Sequence, residues 1–110
     1  MESGYWDIPA EQYATFDQPV TILDETGGLV DLTGCTAKME IRPAIGEDPI
    51  HTLTELSGLT LGGVLGTIEI VFLPTVSGEY VYDLLVTFPD GHTERELEGK
   101  VTIDPGVTEP

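Results

Sequence analysis

The chain has 110 residues, with 20 Asp and Glu against 4 Lys and Arg, and a formal net charge of −16. That charge suits a disordered acidic tail, but 40% of the residues are hydrophobic, so the chain can fold around a core. Four basic residues cannot neutralise a phosphate backbone, which excludes nucleic-acid binding, and no run of about 18 apolar residues is present for membrane insertion.

The length suits one domain, which buries roughly 65% of its unfolded surface. Residues 1–7 carry neither the basic nor the apolar region of a secretory leader. Cys35 is the single cysteine and has no internal disulfide partner, which fits assembly in a reducing cytosol.

Residues 1–13 read as an N-terminal arm. Gly4, Pro9, the acids Glu2, Asp7 and Glu11 and three spaced aromatics, Tyr5, Trp6 and Tyr13, follow neither the strand nor the helix period. The arm is either loose or a hook that docks on a neighbouring subunit, because Trp and Tyr favour interfaces. From residue 14 the chain breaks into short strands. Residues 20–23 form one, 24–28 a glycine turn and 29–32 a short return. Cys35, Ala37, Met39 and Ile41 alternate with Thr36, Lys38, Glu40 and Arg42, the period of a half-buried strand. Pro43 ends it, and a loop covers 44–49. Residues 50–56 form a further strand. Segments 59–61 and 66–73 flank Gly62-Gly63 as a hairpin, with Ile68, Ile70 and Phe72 inward. Residues 79–88 are apolar on both faces and read as a central strand. Pro89-Asp90-Gly91-His92 is a turn. Residues 93–103 end the domain, with Leu97, Val101 and Ile103 inward and Glu94, Glu96 and Glu98 outward. Residues 105–110 are a tail. About seven or eight strands without a helix predict an all-β, immunoglobulin-like antiparallel sandwich over 14–104, with an extended arm before it.

Chemistry is thin. His51 and His92 are the only imidazoles, and Cys35 falls in phase with core residues as a buried thiol. No Gly-x-Ser-x-Gly elbow surrounds Ser3, Ser57 or Ser77. A catalytic carboxylate pair needs one acid in an apolar pocket. Asp83 alone sits inside an apolar strand, where Lys38, Arg42 or Arg95 is expected to pair with it. Asp24, Glu25 and Asp31, or Glu47 and Asp48, offer oxygens for calcium, but no Asp-x-Asp-x-Asp-Gly loop organises them. The sequence predicts no catalytic residue, no cofactor and no metal. The run Glu94, Glu96, Glu98 reads either as a charged edge that blocks sheet pairing or as a face for a basic partner.

Residues 30–43, Val-Asp-Leu-Thr-Gly-Cys-Thr-Ala-Lys-Met-Glu-Ile-Arg-Pro, resemble the DLTGYTARMQIRP segment of small tailed-phage structural proteins. In such proteins there follow a strand like residues 66–70, a Gly-x-Tyr-x-Tyr-Asp-Leu run like 78–84, and a Pro-Asp-Gly turn with a final strand like 89–103. The resemblance spans residues 14–104 and is to the immunoglobulin-like N-terminal domain of phage baseplate upper proteins. It implies a non-enzymatic virion component of the tail, baseplate or neck. Such a component is assembled in the host cytoplasm and held in several copies by protein–protein contacts. Tyr5, Trp6, Tyr13, Glu94, Glu96 and Glu98 are the candidate contacts. The alternatives are a capsid decoration protein and a cell-surface or carbohydrate-binding module, which would use Tyr5, Trp6, Tyr13 and His92.

Overall fold

The computed structural model describes residues 4–110; residues 1–3 of the expected arm lie outside them. It is an all-β protein of two sheets, mostly antiparallel, stacked as a sandwich. The strands are β1 (Gly4–Tyr5), β2 (Ile8–Glu11), β3 (Phe16–Thr21), β4 (Thr36–Arg42), β5 (His51–Thr54), β6 (Leu59–Leu61), β7 (Thr67–Phe72), β8 (Gly78–Thr87) and β9 (Thr93–Asp104). The six-stranded sheet runs β1-β9-β8-β4-β5, with β2 also on β9, and the three-stranded sheet runs β3-β7-β6. A short 3₁₀ turn, Gly63–Leu65, stands where a tight two-glycine hairpin was expected.

Strict alternation decides which way each strand faces. Ala37, Met39 and Ile41 of β4, with Tyr80, Tyr82, Leu84 and Val86 of β8, bury against Ile68, Ile70 and Phe72 of β7. Val101 and Ile103 of β9 and Ile8 and Ala10 of β2 close one side of this core. Cys35 precedes β4 and is half-buried against the cluster rather than fully inside it. The outer face of β8, expected to be covered, is open, and Leu85 is exposed there.

Residues 4–11, read from the sequence as an arm, are strands of the same chain. Gly4 and Tyr5 pair in parallel with Leu97 and Glu98, and Ile8 to Glu11 with Val101 to Asp104. Between these pairings the backbone crosses Gly99, where a Cβ would stand 2.3 Å from the Trp6 carbonyl oxygen. Only glycine allows that approach. The Tyr82 hydroxyl reaches over Gly99 and donates to the Trp6 carbonyl at 2.6 Å. The Lys100 N–H donates to Asp7 Oδ1 at 3.1 Å.

Strand β9 also departs from simple alternation. Leu84 pairs with Leu97 but Leu85 pairs with Arg95, so Glu96 is the extra residue of a β-bulge. The bulge reverses the facing of the strand. Glu96, expected outward with Glu94 and Glu98, is only 7% exposed.

At the start of β8 the Tyr80 hydroxyl donates back to the carbonyls of Val76 at 3.0 Å and Ser77 at 3.2 Å. This ties the β7–β8 connection to the strand that follows it.

Candidate functional site

Two surfaces of the sandwich concentrate chemistry. The first is the outer face of β4, β8 and β9. Register stacks its side chains into three cross-strand rungs. Lys38, Leu85 and Arg95 form one, Glu40, Asp83 and Glu98 the next, and Arg42, Val81 and Lys100 the third. The four basic residues of the chain therefore share one face, two on each side of an acidic row. Arg95 Nε bonds Asp83 Oδ2 at 3.1 Å and its Nη1 lies 3.5 Å from Glu98 Oε2. Asp83 thus takes one of the partners its sequence position called for. Arg42 Nη2 lies 3.1 Å from Glu40 Oε1, and Arg42 Nη1 donates to the Glu47 carbonyl. That last bond holds the β4–β5 loop, which carries Ile45, against the sheet.

A groove of about 410 Å³ lies over the lower two rungs. Tyr5 walls one side and Ile45 and Gly46 the other. Tyr5 is 66% exposed, and the neighbouring Asp7 carboxylate pushes its pKa up.

The second surface is one pole of the sandwich. Three connections meet there, residues 22–35, 62–66 and 88–92. Leu32 N–H donates to the Gly63 carbonyl at 2.9 Å and Ile22 N–H to the Gly66 carbonyl at 2.7 Å. A Cβ on Gly34 would touch Pro89. Leu23, Leu29, Val64 and Leu65 are exposed on these connections, the last two at 67% and 62%. The carboxylates here shape their own turns. Asp24 Oδ1 accepts from the Thr26 hydroxyl at 2.7 Å and from the Thr26 and Gly28 N–H groups at 2.9 Å. Asp31 Oδ1 accepts from Thr33 N–H at 2.9 Å. These bonds, hydroxyls first, hold both acids below the usual carboxylate range. Asp90 accepts from His92, whose ring stacks on Phe88 at 4.6 Å. The three connections hold no Lys or Arg.

The expected contact residues divide between these surfaces and the core. Tyr5 and Glu98 come together as a register pair at the groove. Trp6 turns under the arm and packs on Phe16, ring centroids 6.1 Å apart. Tyr13 is half-buried, and its hydroxyl donates to Glu109 of the tail at 3.2 Å. Glu94 stands beside His92 at the pole, 3.9 Å from its Nε2. Glu96 is buried, with Glu94 as its charged neighbour. The six therefore make no single face, because the bulge and the docking of the arm redirect them. His51 packs on Phe72 with a pKa lowered by burial, at the opposite end of β4 from His92. Among the described residues no group of three or more His, Cys, Asp or Glu is placed to hold a metal. No helix among them is long and apolar enough to cross a membrane. The groove needed three strands in register before it could be seen; its only local signals were Asp83 and Tyr5.

No family model matches the chain, and no curated protein matches it. Among solved structures it is similar to a Bacteroides vulgatus ATCC 8482 protein that carries a provisional glycoside hydrolase assignment. The TM-score is 0.55 at 16% identity, over 92% of this chain. This chain spans 17% of that protein's length, and the likeness is one of fold.

Proposed function

We propose that this chain is an immunoglobulin-like, non-enzymatic structural component of a tailed-phage virion. It is assembled in the host cytoplasm and held in the tail, baseplate or neck by protein–protein contacts. The immunoglobulin-like reading is supported by strand order. β9-β8-β4 with β5 beside them, facing β3-β7-β6, corresponds to the G-F-C sheet with an added strand facing B-E-D. The Tyr80 hydroxyl, bonded back to Val76 and Ser77 at the start of β8, supports the same reading, since such domains carry a tyrosine corner there. The virion reading is supported by the four sequence segments that resemble phage structural proteins in the same order.

One observation carries the contact function. The pole combines exposed Leu23, Leu29, Val64 and Leu65 with carboxylates and no Lys or Arg. Apolar side chains supply affinity in such a patch, and the acids select a basic partner surface and fix its register. The test is incorporation into particles of a Val64→Glu, Leu65→Glu double variant. Both residues are exposed, so its melting temperature should match the parent chain while its copies in purified particles fall at least about tenfold. Unchanged incorporation at equal expression would remove the pole from the contact. A capsid rather than tail location would show as density on the shell of the same particles, and would make the chain a decoration protein.

A further inference from the structure

We propose that the groove on the outer face of β4, β8 and β9 binds a neutral carbohydrate. This is a second surface, separate from the docking pole.

The charge of the groove is the first argument. Its lining includes Glu40, Asp83 and Glu98 and also Arg42, Arg95 and Lys100. Three carboxylates against three cations sum to zero, on a chain whose net charge is −16. An anionic ligand meets the acidic rung, and a cationic one meets the outer rungs. A neutral ligand meets neither penalty. The same lining suits an apolar ligand poorly, since it would strip water from six ionised groups without replacing their hydrogen bonds.

Arrangement is the second argument. Each guanidinium is already fixed beside a carboxylate, Arg42 by Glu40 and Arg95 by Asp83 and Glu98. Every pair presents fixed donors next to fixed acceptors. Vicinal hydroxyls of a sugar ring have the matching need: one donates to the carboxylate and its neighbour accepts from the guanidinium. Prior pairing of the side chains reduces the ordering entropy lost on binding.

The wall is the third. A sugar ring has an apolar C–H face, which an exposed aromatic ring can cover while its polar edge stays wet. Tyr5 is such a ring, and the parallel pairing of Gly4 and Tyr5 with Leu97 and Glu98 sets it at the edge of the groove. Ile45 gives the opposite wall. The volume, about 410 Å³, lies in the range of small-molecule sites, roughly 300–1,000 Å³.

The test uses the full chain, labelled with ¹⁵N, and titrates it with neutral glucose, galactose and N-acetylglucosamine oligomers and with sialyllactose. At least one neutral oligomer should shift amides of β1, β8 and β9 and of residues 44–47. Tyr5→Ala should weaken that binding about tenfold or more, and Tyr5→Phe should retain it. Raising NaCl from about 0.1 M to about 1 M should change the affinity less than about twofold, since no ligand charge is screened. No shift with any neutral oligomer at about 10 mM, or preference for sialyllactose, would overturn the proposal. So would equal binding by Tyr5→Ala. Particle incorporation of Tyr5→Ala is a separate readout. If it falls while no sugar binds, the face is a protein contact instead and the carbohydrate proposal is lost.

Discussion

The bulge in β9 turns Glu96 inward, where desolvation and then the neighbouring Glu94 raise its carboxyl to about 7. Its Oε1 is buried without a hydrogen-bond partner among the described residues. An unfolded glutamate ionises near about 4.3. Between those two values the folded chain holds a proton that the unfolded chain has released. The stabilisation from this group is therefore complete below about pH 4.3 and is lost as pH rises through about 7. Glu96→Gln removes the titration. Against the parent chain, its unfolding free energy should be near equal at pH 4.5 and higher by about 1–2 kcal/mol at pH 8. Denaturant titration at the two pH values checks this, and an identical difference at both would uncouple Glu96 from stability. The acids of the turns behave in the opposite sense. Asp24 and Asp31 are held below their ordinary values by Thr26 and Thr33, so their turns loosen as pH falls into the carboxylate range. Glu96 also marks a limit of sequence reading. Glu94 to Glu98 looks like clean alternation, and nothing local signals that one residue is extra.

Among the elements, β4 was legible because it alternates apolar and polar residues over its whole length and packs that way, and β8 as a long run of strand formers, although Val81 and Leu85 on its outer phase suggested a cover that is absent from the described residues. β3 was legible only at its end. The strand read from residue 20 begins at Phe16, but Asp17, Gln18 and Pro19 lack a strand's alternation; Pro19 is tolerated because β3 is an edge strand. β1 and β2 were missed because their partner lies some ninety residues away in sequence, and parallel pairing leaves no turn to find. Gly99 is the hinge of that pairing. Gly99→Ala should cost about 1–3 kcal/mol, as overpacking does. Hydrogen exchange should show amides of β2 losing protection while those of β4 and β8 keep theirs. Tyr80→Phe tests the other joint. It leaves the ring and removes the bonds to Val76 and Ser77, for an expected loss of about 1 kcal/mol by chemical denaturation.

At the scale of the molecule, charge is sorted by surface. Cations gather on the outer face of the large sheet, in balance with an acidic rung. The pole and the small sheet carry acids alone; on the small sheet a hydrogen bond with Asp17 raises the Glu69 carboxyl. Excess like charge opposes the compact state and is screened by salt. Melting temperature should therefore rise as NaCl goes from about 0.01 M to about 0.5 M. The proposed attachment of the pole to a basic partner should weaken over the same range. Opposite salt responses of stability and attachment, measured by calorimetry and by particle binding, would separate the two roles of the charge. If both moved together, the docking role of the acids would fail. The excess of acid was plain in the sequence; the sorting was not, since Lys38, Arg42, Arg95 and Lys100 meet only after three strands align.

The pairing of β2 with β9 also sets the order of events during synthesis. Ile8 and Ala10 leave the ribosome well before the strand that covers them, which ends at Asp104. Until then they have no partner in the sheet, and the large sheet lacks one side. Contacts of such separation form slowly. The nascent chain thus keeps an apolar strand waiting while the residues between Glu11 and Val101 are added, and the flanking acids Asp7 and Glu11 oppose its pairing elsewhere.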